Sequence, residues 1–250
     1  MELISRIKNI LSTNNFNLIH LESVESTMKS IKNFIGTQNI CMIADEQTSG
    51  IGRRGNKWVS PKGNIYISFL IKYDLSFENH FLFSAFTANS IIKFLSKYID
   101  ENINIKWPND IIINNKKIAG IMTEIVEHNN TPYIIIGLGI NILTSPKIKD
   151  YKTCSLKDYK DNLKYENVLI NFIEFFFGEY EMMKKKNYDQ ILNLFKNKMS
   201  YFGSKINILL PNGDVKNILL KNLNLDGSLL VEGDGKEENI FSGRIINDIN

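Results

Sequence analysis

Residues 1–200 of this 250-residue chain predict an α+β domain, and residues 201–250 predict a small β-barrel appended to it. Three observations carry this. Up to residue 200, segments with helical spacing of apolar residues interleave with short alternating or continuous apolar runs, the two periodicities of amphipathic helices and half-buried strands. After Tyr201 the texture becomes short strands separated by Pro211-Asn212-Gly213, Asp226-Gly227 and Gly233-Asp234-Gly235, which are strong short-range turn signals. Hydrophobic residues make up 43% and charged residues 23%, an ordinary globular balance. A chain of this length can bury roughly 70% of its unfolded surface in a core.

In chain order, residues 2–12 place Leu3, Ile4, Ile7, Ile10 and Leu11 at helical spacing. Asn17–Leu21 reads as a short strand. Ser26 or Thr27 is a suitable N-cap for a helix over 28–35 that Gly36 ends. Asn39–Glu46 reads as a strand. Residues 47–64 carry Gly50, Gly52, Gly55, Pro61 and Gly63, an irregular loop longer than the ~12 residues that usually signal function or disorder. Ile65–Tyr73 alternates as a strand, and Phe81–Tyr98 is a long apolar-periodic helix. Ile103–Trp107 and Asp110–Asn114 are strands flanking Pro108, with a hairpin turn at Asn114-Asn115. Lys117–Val126 and Tyr133–Leu143 are further strands, and 144–162 is mostly loop. Helices follow over Glu166–Lys185, with a Phe-rich stripe suited to a core, and over 188–200. Lys205–Leu210, Lys216–Leu223, Ser228–Glu232 and Glu238–Phe241 are the strands of the barrel.

Several function classes are excluded as expectations. The formal charge of +3 gives no basic footprint for nucleic acid. No run reaches the ~18 apolar residues of a membrane span. The start carries Glu2, Arg6 and Lys8 and lacks the apolar run of a secretory signal. Cys41 and Cys154 make no disulfide framework. Together these point to a cytoplasmic protein with reduced thiols, no membrane partner and no nucleic-acid partner.

Only four arginines occur, Arg6, Arg53, Arg54 and Arg244, against a lysine-rich background. The adjacent pair Arg53-Arg54 therefore stands out, because guanidinium offers a planar fork for carboxylate or phosphate. It sits in Gly50-Ile51-Gly52-Arg53-Arg54-Gly55, which matches G-x-G-x-x-G. A dinucleotide fingerprint must open a helix; here Pro61 follows soon after, so that reading is rejected. What remains is a glycine loop bearing Arg53, Arg54, Lys57 and Trp58, a combination suited to an anionic, nucleotide-like ligand. Two further segments stand out: Lys106-Trp107-Pro108-Asn109-Asp110 followed by Lys116-Lys117-Ile118-Ala119-Gly120, and Gly137-Leu138-Gly139-Ile140-Asn141. Taken singly, each fits an amphipathic hairpin with exposed lysines or a strand end.

Together these residues resemble the biotin protein ligases. Gln47 to Trp58 resembles the family's biotin and adenylate loop. Lys106-Trp107-Pro108-Asn109-Asp110 matches its K-W-P-N-D signature, Lys117-Ile118-Ala119-Gly120-Ile121 its K-[LI]-[AS]-G-I, and Gly137 to Asn141 its G-x-G-[IV]-N; Glu25-Ser26-Thr27 resembles the early S-T-N element. The match runs from about residue 17 to 156, and Leu225 to Val231 looks like a hairpin of the family's C-terminal barrel. Two positions depart: Ile51 stands where the family usually has Arg, and Met28 where it usually has Asn.

The resemblance implies a mixed-sheet catalytic domain of the biotin/lipoate protein ligase type with an SH3-like C-terminal β-barrel. It implies a cytoplasmic ligase that uses ATP, with Mg2+ on the nucleotide, to convert biotin to biotinyl-5′-AMP. The biotin then passes to a lysine of a biotin carboxyl carrier protein domain. No resident metal ligands are expected, and a homodimer is compatible with the resemblance. Ser26, Thr27, Gln47 and the backbone near Gly120 are the implied biotin contacts. Gly50, Gly52, Arg53, Arg54 and Trp58 form the ligand loop, with Trp58 stacking on or walling off the adenine. Lys117 and Arg53 would neutralise carboxylate and α-phosphate. Asn109 and Asn141 are the implied nucleotide contacts, and Asp110 would position or deprotonate the incoming lysine.

Three alternatives were weighed. A lipoate or octanoate protein ligase is disfavoured by K-W-P-N-D. A biotin-responsive DNA-binding repressor needs a module of about sixty residues ahead of Glu25, where only some twenty stand, so the expectation is a monofunctional ligase. A ligand-binding protein with weakened catalysis is motivated by Ile51.

Overall fold

The computed structural model describes residues 2–73, 79–148 and 151–246. The expected loop 144–162 thus includes two positions, 149 and 150, outside the described residues. Helix α1 (Glu2–Thr13) buries Ile7 and Leu11 completely. Strands β1 (Phe16–Val24) and β2 (Asn39–Gln47) pair in parallel. Between them the expected helix 28–35 is split into a single-turn α2 (Thr27–Ser30) and a 3-10 turn (Ile31–Phe34). Ser26 occupies the N-cap position in extended backbone, but its hydroxyl makes no capping bond.

β3 (Ile65–Lys72) and α3 (Phe81–Leu95) follow. β4 (Ile103–Lys106) and β5 (Asp110–Ile113) flank Trp107-Pro108, joined by a cis bond. β6 (Lys116–His128) and β7 (Thr131–Ile140) complete the first sheet, in the order β1-β2-β3-β7-β6-β5-β4. Only β1 and β2 are parallel; the other pairs are antiparallel, so the sheet is mixed. Asn114 and Asn115, both at positive φ (49° and 59°), form the β5–β6 hairpin turn, and Asn129 and Asn130 do the same for β6–β7. Asparagine tolerates the left-handed region that such two-residue turns demand.

Helices α4 (Tyr165–Lys184) and α5 (Tyr188–Lys198) join α1 and α3 on one face of the sheet. The core there is aromatic: Phe69 of β3 stacks on Phe176 of α4 with centroids 3.8 Å apart. The opposite face carries a smaller apolar cluster around Met28, Ile31, Ile40, Met42, Leu70, Tyr133 and Ile135.

The C-terminal strands are β8 (Lys205–Leu209), β9 (Val215–Leu223), β10 (Leu229–Gly233), β11 (Lys236–Ile240) and β12 (Arg244–Ile245). They form a five-stranded antiparallel sheet, β11-β10-β9-β8-β12. Where four strands and a barrel were expected, the ladder has a fifth strand, and among the described residues its end strands β11 and β12 are not paired. Trp107 Nε1 donates to the Gly227 carbonyl at 2.9 Å, and Arg54 Nη2 donates to Ser242 Oγ at 2.7 Å. These bonds hold the small sheet against the ends of β4 and the glycine loop.

Candidate active site

The face of the main sheet opposite the long helices changes character along β7. Tyr133 and Ile135 fill it with apolar bulk; Gly137 and Gly139, next on the same face, leave a trough. Side chains alternate along a strand, so these four share one side. Trp58 lies over Gly139: a Cβ there would overlap the indole nitrogen. Met28 lies over Gly137, where a Cβ would overlap its thioether. The trough and the loop above it enclose a cavity of about 600 Å³.

Lys117 reaches this face because of a register shift. β5 and β6 pair Ile111 with Ala119 and Ile112 with Lys117, an irregularity that leaves one extra residue on β6. Ile118 and Ala119 consequently both enter the helical core, fully buried. Lys117 and Gly120 then lie on the cavity side despite their odd spacing. Re-aiming one side chain is what a β-bulge does. Lys117 Nζ pairs with Asp110 Oδ1 at 2.7 Å, with their side chains 15% and 31% exposed. It also stands 5.1 Å from the Trp58 ring centroid and 5.5 Å from that of Tyr151, within cation–π range.

Arg53 comes from a 3-10 turn (Arg53–Gly55) within the glycine loop. Its Nη1 donates to Asn109 Oδ1 at 3.1 Å, and Asn109 Nδ2 donates to the Ile121 carbonyl at 2.8 Å. Asn109 thus fixes Arg53 to β6. Burial, and then the charge of Arg54, lower the Arg53 pKa from its ordinary value, while Asp110 opposes them. No helix follows the loop; it closes through an Ile51–Lys57 bridge and a Gln47–Ser60 bridge.

At the other end of the trough the polar groups pair among themselves. Gln47 Oε1 accepts from the Thr27 backbone N–H at 2.8 Å and its hydroxyl at 3.1 Å. Ser68 Oγ donates to Thr27 Oγ1 at 2.8 Å, Gln47 Nε2 donates to Ser60 Oγ at 2.9 Å, and Ser60 Oγ donates to the Trp58 carbonyl. This chain of bonds ties the start of α2 to β2, β3 and the loop. Ser26 lines the cavity, is fully buried, and its hydroxyl has no hydrogen-bond partner.

The structure thus brings Ser26, Thr27, Gln47, Gly52, Arg53, Arg54, Trp58, Asn109, Asp110, Lys117 and Gly120 to one cavity. It does not bring Gly50 and Asn141 to the lining. Gly50 is buried beneath the loop, and its carbonyl accepts from the Trp58 N–H at 2.9 Å. Asn141 is 1% exposed, and its amide donates to the Cys154 carbonyl at 3.0 Å; it pins the strand that runs beside Lys117. Arg54 lines the cavity, but its guanidinium is engaged by Ser242 and Gly243. Ser60, Ser68 and Tyr151 were missed. Their serine and tyrosine codons of meaning lie in contacts 13 to 41 residues away in sequence, and no local motif marks them. Among the described residues no group of three or more His, Cys, Asp or Glu side chains could hold a metal ion.

Residues 20–141 match the model of the biotin/lipoate A/B protein ligase family. Over 232 residues the chain is 26% identical to the bifunctional ligase/repressor BirA of Bacillus subtilis, covering 90% of this chain and 71% of that protein. It is 34% identical over 137 residues to the biotin–protein ligase of Homo sapiens, covering 50% of this chain and 19% of that one. Its fold is similar to the biotin protein ligase from Aquifex aeolicus in complex with biotin and ATP. The TM-score is 0.76 at 25% identity, covering 92% of this chain and 97% of the other.

Proposed function

We propose that this chain, which belongs to the biotin/lipoate A/B protein ligase family, activates biotin with ATP and passes it to a lysine of a biotin carboxyl carrier domain. The observation that carries this reading is the Lys117–Asp110 pair beside Trp58 and Arg53, at one end of an otherwise apolar trough. Joining biotin to ATP requires two anions, a carboxylate and an α-phosphate, to meet. Lys117 and Arg53 offer positive charge at that point, held in place before the ligands arrive by Asp110 and Asn109. Preorganised charge of this kind stabilises the developing transition state without reorganisation. The carboxylate oxygen attacks the α-phosphorus, pyrophosphate leaves, and a mixed anhydride remains.

In the second step an acceptor lysine attacks the acyl carbon and AMP leaves. When ligand anions draw Lys117 away, the Asp110 carboxylate is freed beside the cavity to orient the incoming amine and receive its proton. Trp58, packed on the glycines, forms a flat wall for the adenine or the acyl chain. Magnesium enters with the nucleotide. In this reading residues 1–200 carry the chemistry, and residues 201–250 steady the loop through the Arg54 and Trp107 bonds. No helix among the described residues is long and apolar enough to cross a membrane.

Incubation with biotin, ATP and magnesium, followed by mass spectrometry, tests the reading. Biotinyl-5′-AMP that forms only with all three present supports it; its absence would overturn it.

A further inference from the structure

We propose, resting on the ligase reading above, that the far end of the cavity selects its carboxylic acid by apolar fit more than by hydrogen bonding, so that the site also activates a medium-chain apolar acid of the octanoate class. The β6–β7 ladder gives the direction. Gly120 pairs with Gly139, under Trp58 and near Lys117; two residues along, Met122 pairs with Gly137, under Met28. Two residues of strand advance about 7 Å. The cationic end therefore lies at Trp58 and the opposite end at Met28.

That opposite end is apolar in this chain. Met28 is 4% exposed and belongs to the cluster with Ile31, Met42 and Ile135, against which Ile51 and Met122 also pack. Both departures from the family motifs, Met28 and Ile51, thus converge on one wall of the cavity. The neighbouring polar groups, on Thr27, Gln47, Ser60 and Ser68, already bond one another. Ser26 Oγ alone among the buried polar side-chain atoms of this end has no partner.

A site whose buried polar groups wait for the substrate rejects an analogue lacking them by about 10⁴–10⁵-fold, because those groups are stranded. A hydrophobic pocket discriminates by only about 10–200-fold. With its polar groups paired internally, this end falls in the second class. The chemistry is unchanged by the tail. The acid's carboxylate oxygen bonds to the α-phosphorus of ATP, the bond from that phosphorus to the bridging oxygen breaks, and pyrophosphate leaves with the electron pair.

The test is exchange of labelled pyrophosphate into ATP, driven by biotin or by octanoate in separate reactions. The expected kcat/KM for octanoate lies within about 200-fold of that for biotin. Met28→Asn is expected to widen this ratio at least about tenfold while leaving the KM for ATP in place. A wild-type deficit of about 10⁴-fold or more for octanoate overturns the proposal, as does an unchanged ratio in folded Met28→Asn. If that variant does not fold, the wild-type ratio decides alone. Exchange with biotin but none with octanoate overturns this inference and leaves the ligase reading standing. Exchange with neither acid overturns both.

Discussion

Gly139 lies directly beneath the indole of Trp58, so closely that any Cβ at residue 139 would overlap the ring nitrogen. The trough exists because a tryptophan from the loop and a strand residue without a side chain share one space. Gly139→Ala is expected to displace the indole toward solvent. Tryptophan emission should shift to longer wavelength, with Trp107, the other tryptophan, as the constant background. Adenylate formation should fall with it. Unchanged emission and activity would show that the indole position is unimportant.

Lys117→Ala is expected to lower the rate of adenylate formation by about 10²–10³-fold, the usual cost of removing one preorganised charge contact. The protein should stay folded, since Lys117 packs on Trp58 and Tyr151 at the cavity rim and not in the core. Single-turnover formation of biotinyl-AMP at near wild-type rate would remove Lys117 from the account.

Ile51→Arg restores the residue usual in the family motif, yet the cavity wall argues against a gain. Ile51 packs against the apolar cluster around Met28. A guanidinium there exchanges apolar contact for a charge beside Arg53 and Arg54. Release of biotinyl-AMP is expected to be as fast as in the wild type or faster. Slower release would show that a binding contact is simply missing at this position.

Stability is expected to fall in alkali before the tyrosines titrate. Burial raises the Cys154 thiol from 9.0 to about 11, and raises that of Cys41 further. Above about pH 9 the unfolded chain has lost these protons while the folded chain keeps them, so folding becomes less favourable as pH rises toward the folded values. Urea midpoints between pH 8 and about 10.5 should decline, and Cys154→Ala should decline less steeply. A flat profile in the wild type would contradict the burial of both thiols.

Much of the site was legible because its chemistry is carried by contiguous motifs. Arg53, Trp58, Asn109, Asp110 and Lys117 stand out in sequence and meet in space. The rejection of a dinucleotide fingerprint also holds, because the loop closes by bridges and opens no helix. What was not legible depends on register. The bulge that turns Lys117 and Gly120 to one face is invisible in Lys-Ile-Ala-Gly, where simple alternation would separate them. Asn141 ends a motif strand yet turns away from the cavity to hold Cys154. Ser26 suits an N-cap by type, but its hydroxyl is left without a partner. Met28 and Ile51 read as losses in sequence, and only packing shows that they form one wall.

The central claim is that the acid's own carboxylate oxygen attacks the α-phosphorus of ATP. Biotin labelled with heavy oxygen in its carboxylate, incubated with ATP and a carrier-domain acceptor, tests this most directly. When the acceptor lysine breaks the mixed anhydride, the bridging oxygen leaves with the phosphate. The account expects AMP carrying one heavy oxygen for every biotinylated lysine. Biotinylated acceptor accompanied by unlabelled AMP would contradict it.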